Sequence, residues 1–224
     1  MTVRAAIVSL LSQKDCGHGP VLSDFVEWCE TAFLNINVNK TKEMYINFVR
    51  SPVSLPPALI NSQAVDQVEN YKYLGMVIDN KLRFESQVDA VCKKAHQLMY
   101  FYRKLRNFNL DTTFMKMFYS CFIESILTFS FICWHGSLLE KGKNRLNDVV
   151  KVCSKIAGIA LNDLSEVYRV RCVRKAKAII ADPSHPLCQE FLLLPSGRRY
   201  NVPWCNTNTF KKSMIPRAIS LLNE

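Results

Sequence analysis

The sequence predicts an α+β fold that is mainly α, and three observations predict it. Short apolar runs punctuated by Gly, Pro and Asn fill the chain up to about residue 83. Apolar residues then recur at helical spacing as far as Ile180. A closing stretch is rich in Pro, Arg and Lys and reads mostly as loop. A period of two marks strands and a period of 3.6 marks helices, so the change of period places a boundary near residue 83. The expected divisions are 1–83, 84–182 and 183–224.

The elements follow in order. Ala5 to Leu11 reads as a buried strand, and "SQKDCGHGP" after it is a turn signal. Val21, Leu22, Phe25, Val26, Cys29 and Phe33 share a helical stripe, with Pro20 in the first turn, where its missing N–H costs nothing. A strand is expected around Met44 to Phe48, then a Pro-rich connector, "SPVSLPPALINSQ", unable to form a central strand. "VENYKYLGMVID" alternates Tyr71, Tyr73, Met76 and Ile78 about Gly75, as a strand with a glycine bend would.

From Phe84 onward, Val88, Val91, Ala95, Leu98, Met99, Tyr102 and Leu105 form one apolar stripe, with Lys93, Lys94, Gln97 and Lys104 off it. Asp111 is placed to cap a second helix, Thr112 to Trp134, that is apolar nearly all round. Its length approaches a membrane span, but Glu124 sits at its centre and its neighbours are amphipathic, so a central core helix is expected. Leu146, Val149, Val150, Cys153, Ile156 and Ala157 make a third stripe, ended by Gly158. "LSEVYRVRCVRKAKAII" reads as a fourth helix stopped by "DPSHP", and the tail holds one short terminal helix.

Composition narrows the function. With 224 residues and 49% hydrophobic content the chain can bury a core, so wholesale disorder is excluded. A formal net charge of +10 favours an anionic partner, nucleic acid before an acidic membrane. Nine cysteines lie far apart with no C-x-x-C pair, which argues for reduced thiols, mostly core filler, in a nuclear or cytoplasmic protein.

Catalytic patterns are missing from the sequence. None of His18, His96, His135 and His185 begins the H-x-D of a facial iron triad. H-E-x-x-H, G-x-S-x-G and a Walker loop do not occur. "GHG" at Gly17 to Gly19 sits where a phosphate loop would, yet Pro20 removes an N–H that would hold the anion. The nine aspartates are isolated, whereas a two-metal phosphoryl-transfer site needs clustered carboxylates. No catalytic residue, cofactor or metal is therefore expected.

The basic residues are the positive signal. "KKAHQLMYFYRKLRNF" interleaves Lys93, Lys94, Arg103, Lys104 and Arg106 with Tyr100, Phe101 and Tyr102. "YRVRCVRKAKAII" sets Arg171, Arg174 and Lys175 on neighbouring turns. Such cations can track phosphates while aromatics stack on bases.

The runs "AIVSLL", "HGPVLSDFVEWCETAFLNINVNKTKEMYINF", "VENYKYLGMVID", "VCKKAHQLMYFYRKLRNFNL" and "FYSCFIESILTFSFICWHG", in that order, resemble a non-LTR (LINE-type) retrotransposon reverse transcriptase. The resemblance implies a small incomplete α/β palm remnant followed by a helical thumb-like domain and a basic tail. In that family an Ala-Asp-Asp turn precedes the strand matched by "AIVSLL"; here "MTVRA" stands there, without aspartate. The strand is then expected to be a cut edge whose partners belong to an upstream polypeptide. Lys40 and Lys42 match the block where a lysine assists pyrophosphate departure. Tyr73, Leu74 and Gly75 match the hairpin that grips the primer end, with Lys72 beside them. The implied function is a non-catalytic nucleic-acid-binding fragment, not an enzyme on its own. Its implied partners are an RNA or DNA backbone and an upstream reverse-transcriptase polypeptide, and no membrane.

Residues 88–119 also resemble the short helical domain named after the amino-terminal region of the eighth AlkB homologue. That resemblance implies an alternative: 2-oxoglutarate-dependent dioxygenase or methyltransferase activity in tRNA or DNA modification. The missing H-x-D and the absence of a glycine-rich cofactor loop argue against it.

Overall fold

The structure, a computed structural model, describes residues 2–3, 6–10, 19–46 and 56–224, with side chains from residue 21 onward. The chain is mainly helical with a few short strands. It divides into two compact units, Met1–Leu82 and Arg83–Glu224.

The first unit is built from β1 (Thr2–Val3), β2 (Ala6–Leu10), α1 (Gly19–Thr31), β3 (Asn35–Ile36) and β4 (Lys42–Ile46). Strand β2 pairs in parallel with β4, from Ala6 opposite Lys42 to Leu10 opposite Ile46. The strand expected to be a cut edge thus takes a partner from later in the chain, and α1 is the crossover a parallel pair requires. Ala5, Leu11 and the "GHG" turn up to His18 lie outside the described residues, as do the side chains that would test burial of the strand.

Helix α1 corrects the sequence reading at Phe33. That residue lies beyond the helix at φ 55° and is 91% exposed. Of the predicted stripe, Cys29 is buried, while Val21 is exposed. A thin core of Cys29, Met44, Ile46, Ile60 and Val65 remains.

Two hairpins follow. β5 (Leu59–Ile60) and β6 (Gln63–Ala64) pair antiparallel across Asn61 and Ser62, both at positive φ. The connector, expected to form no central strand, turns back on itself as a two-stranded sheet, because two consecutive left-handed residues match the twist of a hairpin. Next, β7 (Asp66–Gln67) pairs with β4, making the order β2-β4-β7. β8 (Asn70–Tyr73) and β9 (Met76–Asp79) form the second hairpin, with Tyr73 opposite Met76 and Leu74 and Gly75 at φ 46° and 90°. The expected bent strand is two strands. Gly75 reverses the chain instead of bending it.

The second unit opens with α2 (Glu85–Asn107), which buries Val88, Val91, Cys92, Ala95, Met99 and Tyr102. Asp111 caps α3 (Thr112–Phe118) as predicted, its Oδ1 accepting the Phe114 N–H at 2.7 Å. The expected single helix to Trp134 is interrupted. A π-helical turn spans Tyr119–Glu124, and α4 (Ser125–Leu127) ends before Ser130, which sits at φ 50° ahead of α5 (Phe131–Trp134). Ser125 Oγ donates to Cys121 O at 2.6 Å and Thr128 Oγ1 to Glu124 O at 2.6 Å. Hydroxyls bonded back to the preceding turn bend a helix. Nor is the segment surrounded by protein: Met115, Tyr119, Ile123 and Leu127 are buried, but Phe114, Met117, Phe122 and Phe129 are exposed. Thr112–Ser137 is long and apolar enough to cross a membrane by length and composition, with 33% of its most apolar window buried.

Helix α6 (Glu140–Ala157) packs on α2 and closes at Gly158, φ 69°. Asp89 on α2 pairs with Arg145 on α6 at 2.7 Å, and Arg106 reaches toward Gly158 at the other end, so the two helices run the same way. Helix α7 (Leu164–Ile180) begins on an Asp163 cap and has the bounds the sequence implies. The tail is less independent than expected. After α8 (Asn208–Lys211), α9 (Met214–Leu222) packs Ala218 and Ile219 against Ala176, Ile179 and Phe191. Ile215, Ile219 and Leu222 recur at helical spacing, and burying them on α7 draws the tail into the helical unit.

Candidate nucleic-acid interface

Helix α2 carries the densest set of predicted contacts. Between residues 90 and 110 the chain holds five Lys or Arg and no Asp or Glu. Lys93, Lys94, Arg103, Lys104 and Arg106 are all exposed. The apolar stripe fixes which way the helix turns: with Ala95, Met99 and Tyr102 buried, the opposite side must face water. Lys93, Gln97, Tyr100 and Lys104 lie there at spacings of four, three and four, and Phe101 and Phe108 lie beside them. The three consecutive aromatics therefore separate. Tyr102 is 0% exposed and stacks on Phe118 at 5.7 Å, while Tyr100 is 57% and Phe101 56% exposed. Lys104 Nζ lies 5.7 Å from the Tyr100 ring centroid, a cation–π contact.

The α7 cations divide in the same manner. Arg174 and Lys175 are exposed. Arg171 is half-buried, its Nη1 donating to Thr128 O at 3.1 Å and its Nη2 lying 3.7 Å from Glu124 Oε1. It closes the carbonyl left open where the α4 helix ends. Sequence spacing put Arg171 with Arg174 and Lys175, and the structure gives it a different neighbourhood.

In the first unit, Lys40 is exposed just before β4, and Lys42 pairs with Asp66 on the neighbouring strand. Lys72, Tyr73, Leu74 and Gly75 are exposed at the tip of the β8–β9 hairpin. A cleft of about 470 Å³ in this unit is bordered by Glu27 and Glu30, which does not suit a polyanion.

Two buried polar groups escaped the sequence reading. Glu43 on β4 is fully buried; it accepts from Tyr45 Oη at 2.6 Å, Ala58 N at 3.1 Å and Gln67 Nε2 at 3.2 Å. It ties β4 to β7 and to the segment before β5. His135 is 3% exposed, and neither ring nitrogen has a hydrogen-bond partner. Phe131 and Tyr168 pack on its ring at 4.3 and 4.7 Å. Burial, with help from Lys143, lowers its pKa to about 4, since a charge there would lose its hydration. No sequence pattern announces either residue.

Among the described residues, no three His, Cys, Asp or Glu side chains come together to hold a metal ion. The eight described cysteines are free thiols: Cys29, Cys92, Cys153 and Cys172 are buried, Cys121 and Cys133 exposed, and Cys188 and Cys205 half-buried. The expectation of mostly core filler thus holds for half of them. Burial raises the Cys153 thiol to about 11, so it stays protonated and unreactive at neutral pH.

One family model matches the chain: the alkylated DNA repair protein alkB homolog 8, N-terminal family, over residues 85–125. The match spans α2, α3 and the π-helical turn, and so contains the basic face of α2. No curated protein and no solved structure matches the chain.

Proposed function

We propose that this chain is a non-catalytic nucleic-acid-binding protein, derived from the end of the palm and the thumb of a non-LTR retrotransposon reverse transcriptase. One observation carries the binding reading. The outward face of α2 presents Lys93, Lys94 and Lys104; Arg103 and Arg106 are exposed on the side toward α6, and no carboxylate intervenes between Asp89 and Asp111. A solvated helix in an ordinary soluble domain mixes both signs. This one carries its cations in two clusters, Lys93 with Lys94 and Arg103 to Arg106, over about 20 Å at 1.5 Å per residue, with no acidic residue between them. Arg174, Lys175, Lys40, Lys72 and Tyr73 are further proposed contacts. The retrotransposon origin rests on the order of the sequence blocks; Tyr73, Leu74 and Gly75, the residues that the resemblance matches to a primer-gripping hairpin, lie at the β8–β9 turn.

The test is binding of a labelled RNA or DNA oligonucleotide across a salt series. Each phosphate neutralised contributes a slope of about −0.7 to −0.9 to log K against log salt. The expected slope reflects three or more contacts (about −2 or steeper). A flat response refutes the proposal.

The family match favours a second reading, activity of the AlkB kind in tRNA or DNA modification. The matched residues contain one histidine, His96, and the acids Glu85, Asp89, Asp111 and Glu124. Asp89 is paired with Arg145, and Glu124 lies against Arg171. Turnover of 2-oxoglutarate supplied with iron would establish this reading.

A further inference from the structure

We propose that the outward face of α2 binds single-stranded rather than duplex nucleic acid, with Tyr100, Phe101 and Phe108 as stacking surfaces. The inference rests on the binding reading above and names its substrate class. A surface that follows a duplex needs cations alone, because the bases of a duplex are stacked on each other and only phosphate and sugar face outward. A single strand offers unstacked base faces, and proteins that hold one combine a positive track with exposed aromatics.

The face of α2 has both components in alternation. Reading outward residues in order gives Lys93, Lys94, Gln97, Tyr100, Phe101, Lys104 and Phe108. The three rings are 57%, 56% and 75% exposed. Tyr100 and Phe101 meet edge to face at 5.4 Å and 80°, so their planes diverge and present separate surfaces. The Lys104 ammonium beside the Tyr100 ring puts a phosphate-seeking charge next to a stacking surface. Charge complementarity selects a polyanion, and the interleaved rings select one with open π faces.

Two other polyanionic or apolar occupants bear on the same face. An anionic membrane would use both the cations and the rings, and a second copy of this chain would use the rings while its own cations repelled them. The vesicle arm of the experiment separates the membrane, and the salt-dependent gain with oligonucleotide separates a polyanion from a second copy. The full chain is titrated with oligo-uridine and oligo-thymidine, with a duplex of equal charge, and with phosphatidylserine vesicles. Tyr100→Ala, Phe101→Ala and Phe108→Ala are compared with Lys93→Ala and Lys104→Ala, after an unchanged helical circular-dichroism signal shows that each variant is folded.

The expected result is tighter binding of the single strand, loss of about fivefold or more per ring removed, and an unchanged salt slope in the ring variants. The lysine variants should instead flatten the slope. If single strand and duplex bind alike and the ring variants match the parent, the stacking inference fails while the binding reading stands. If no oligonucleotide binds with a salt dependence, or if the vesicles alone bind, both fail.

Discussion

Acid should destabilise the helical unit through His135, and the size of the effect follows from its surroundings. The imidazole is buried between Phe131 and Tyr168, with no hydrogen-bond partner at either nitrogen. Asp163 and Glu140 are near enough to favour its charge, but desolvation and Lys143 outweigh them, and the pKa falls from 6.5 to about 4. In the unfolded chain the ring takes up a proton as the pH drops through 6.5; in the fold it does not until about pH 4. Between those values the unfolded state binds more protons, so stability rises with pH. The contribution is complete above pH 6.5 and is lost as the pH falls toward 4. A shift of that size corresponds to about 3 kcal/mol at 1.36 kcal/mol per pH unit.

The perturbation is His135→Leu, which removes the titrating group at similar volume. Urea unfolding, followed by far-ultraviolet circular dichroism of the mainly helical chain, is measured at neutral pH and near pH 4.5 for both proteins. Carboxylate titrations elsewhere are common to both and cancel in the difference. The parent should lose about 2 to 3 kcal/mol more than the variant over that interval. At neutral pH the variant should be nearly as stable as the parent, because both unpartnered nitrogens are removed at once. Equal pH dependence in the two proteins would mean that the ring is hydrated or paired in solution, and the reasoning would be wrong.

Two further substitutions separate structure from binding. Arg171→Ala should destabilise the protein by about 1–3 kcal/mol, since it uncaps Thr128 O and leaves Glu124 without its cation, yet the salt slope of nucleic-acid binding should not change. A flattened slope would return Arg171 to the binding face. Gly136→Ala should cost about 1–3 kcal/mol in urea unfolding, because the added methyl would meet Lys212 O at 2.4 Å and Tyr168 Oη at 2.5 Å. The carbonyl belongs to the backbone before α9, so relief requires the tail to move; full stability in this variant would show that the tail is loosely held.

Much of the helical unit was legible in the residues alone. Asp111 as a cap, Gly158 as a terminator, the period of the α2 and α6 stripes and the bounds of α7 are local properties, set within a turn or two by hydrogen bonding and by which side chains avoid water; the Asp163 cap is of the same local kind and was missed. The hairpins were harder. Asn61, Ser62 and Leu74 adopt positive φ without being glycine, and no period reveals that.

The one-dimensional pattern by itself determined a basic, mainly helical chain with cations and aromatics interleaved on α2, because composition and spacing need no partner to be read. Only the tertiary structure decided which of those groups face water. It sent Tyr102 into the core and left Tyr100 and Phe101 outside, turned Arg171 toward a broken helix, and sealed His135 among aromatic rings. Burial and pairing depend on residues brought together from distant parts of the chain, and that information is absent from any local stretch of it.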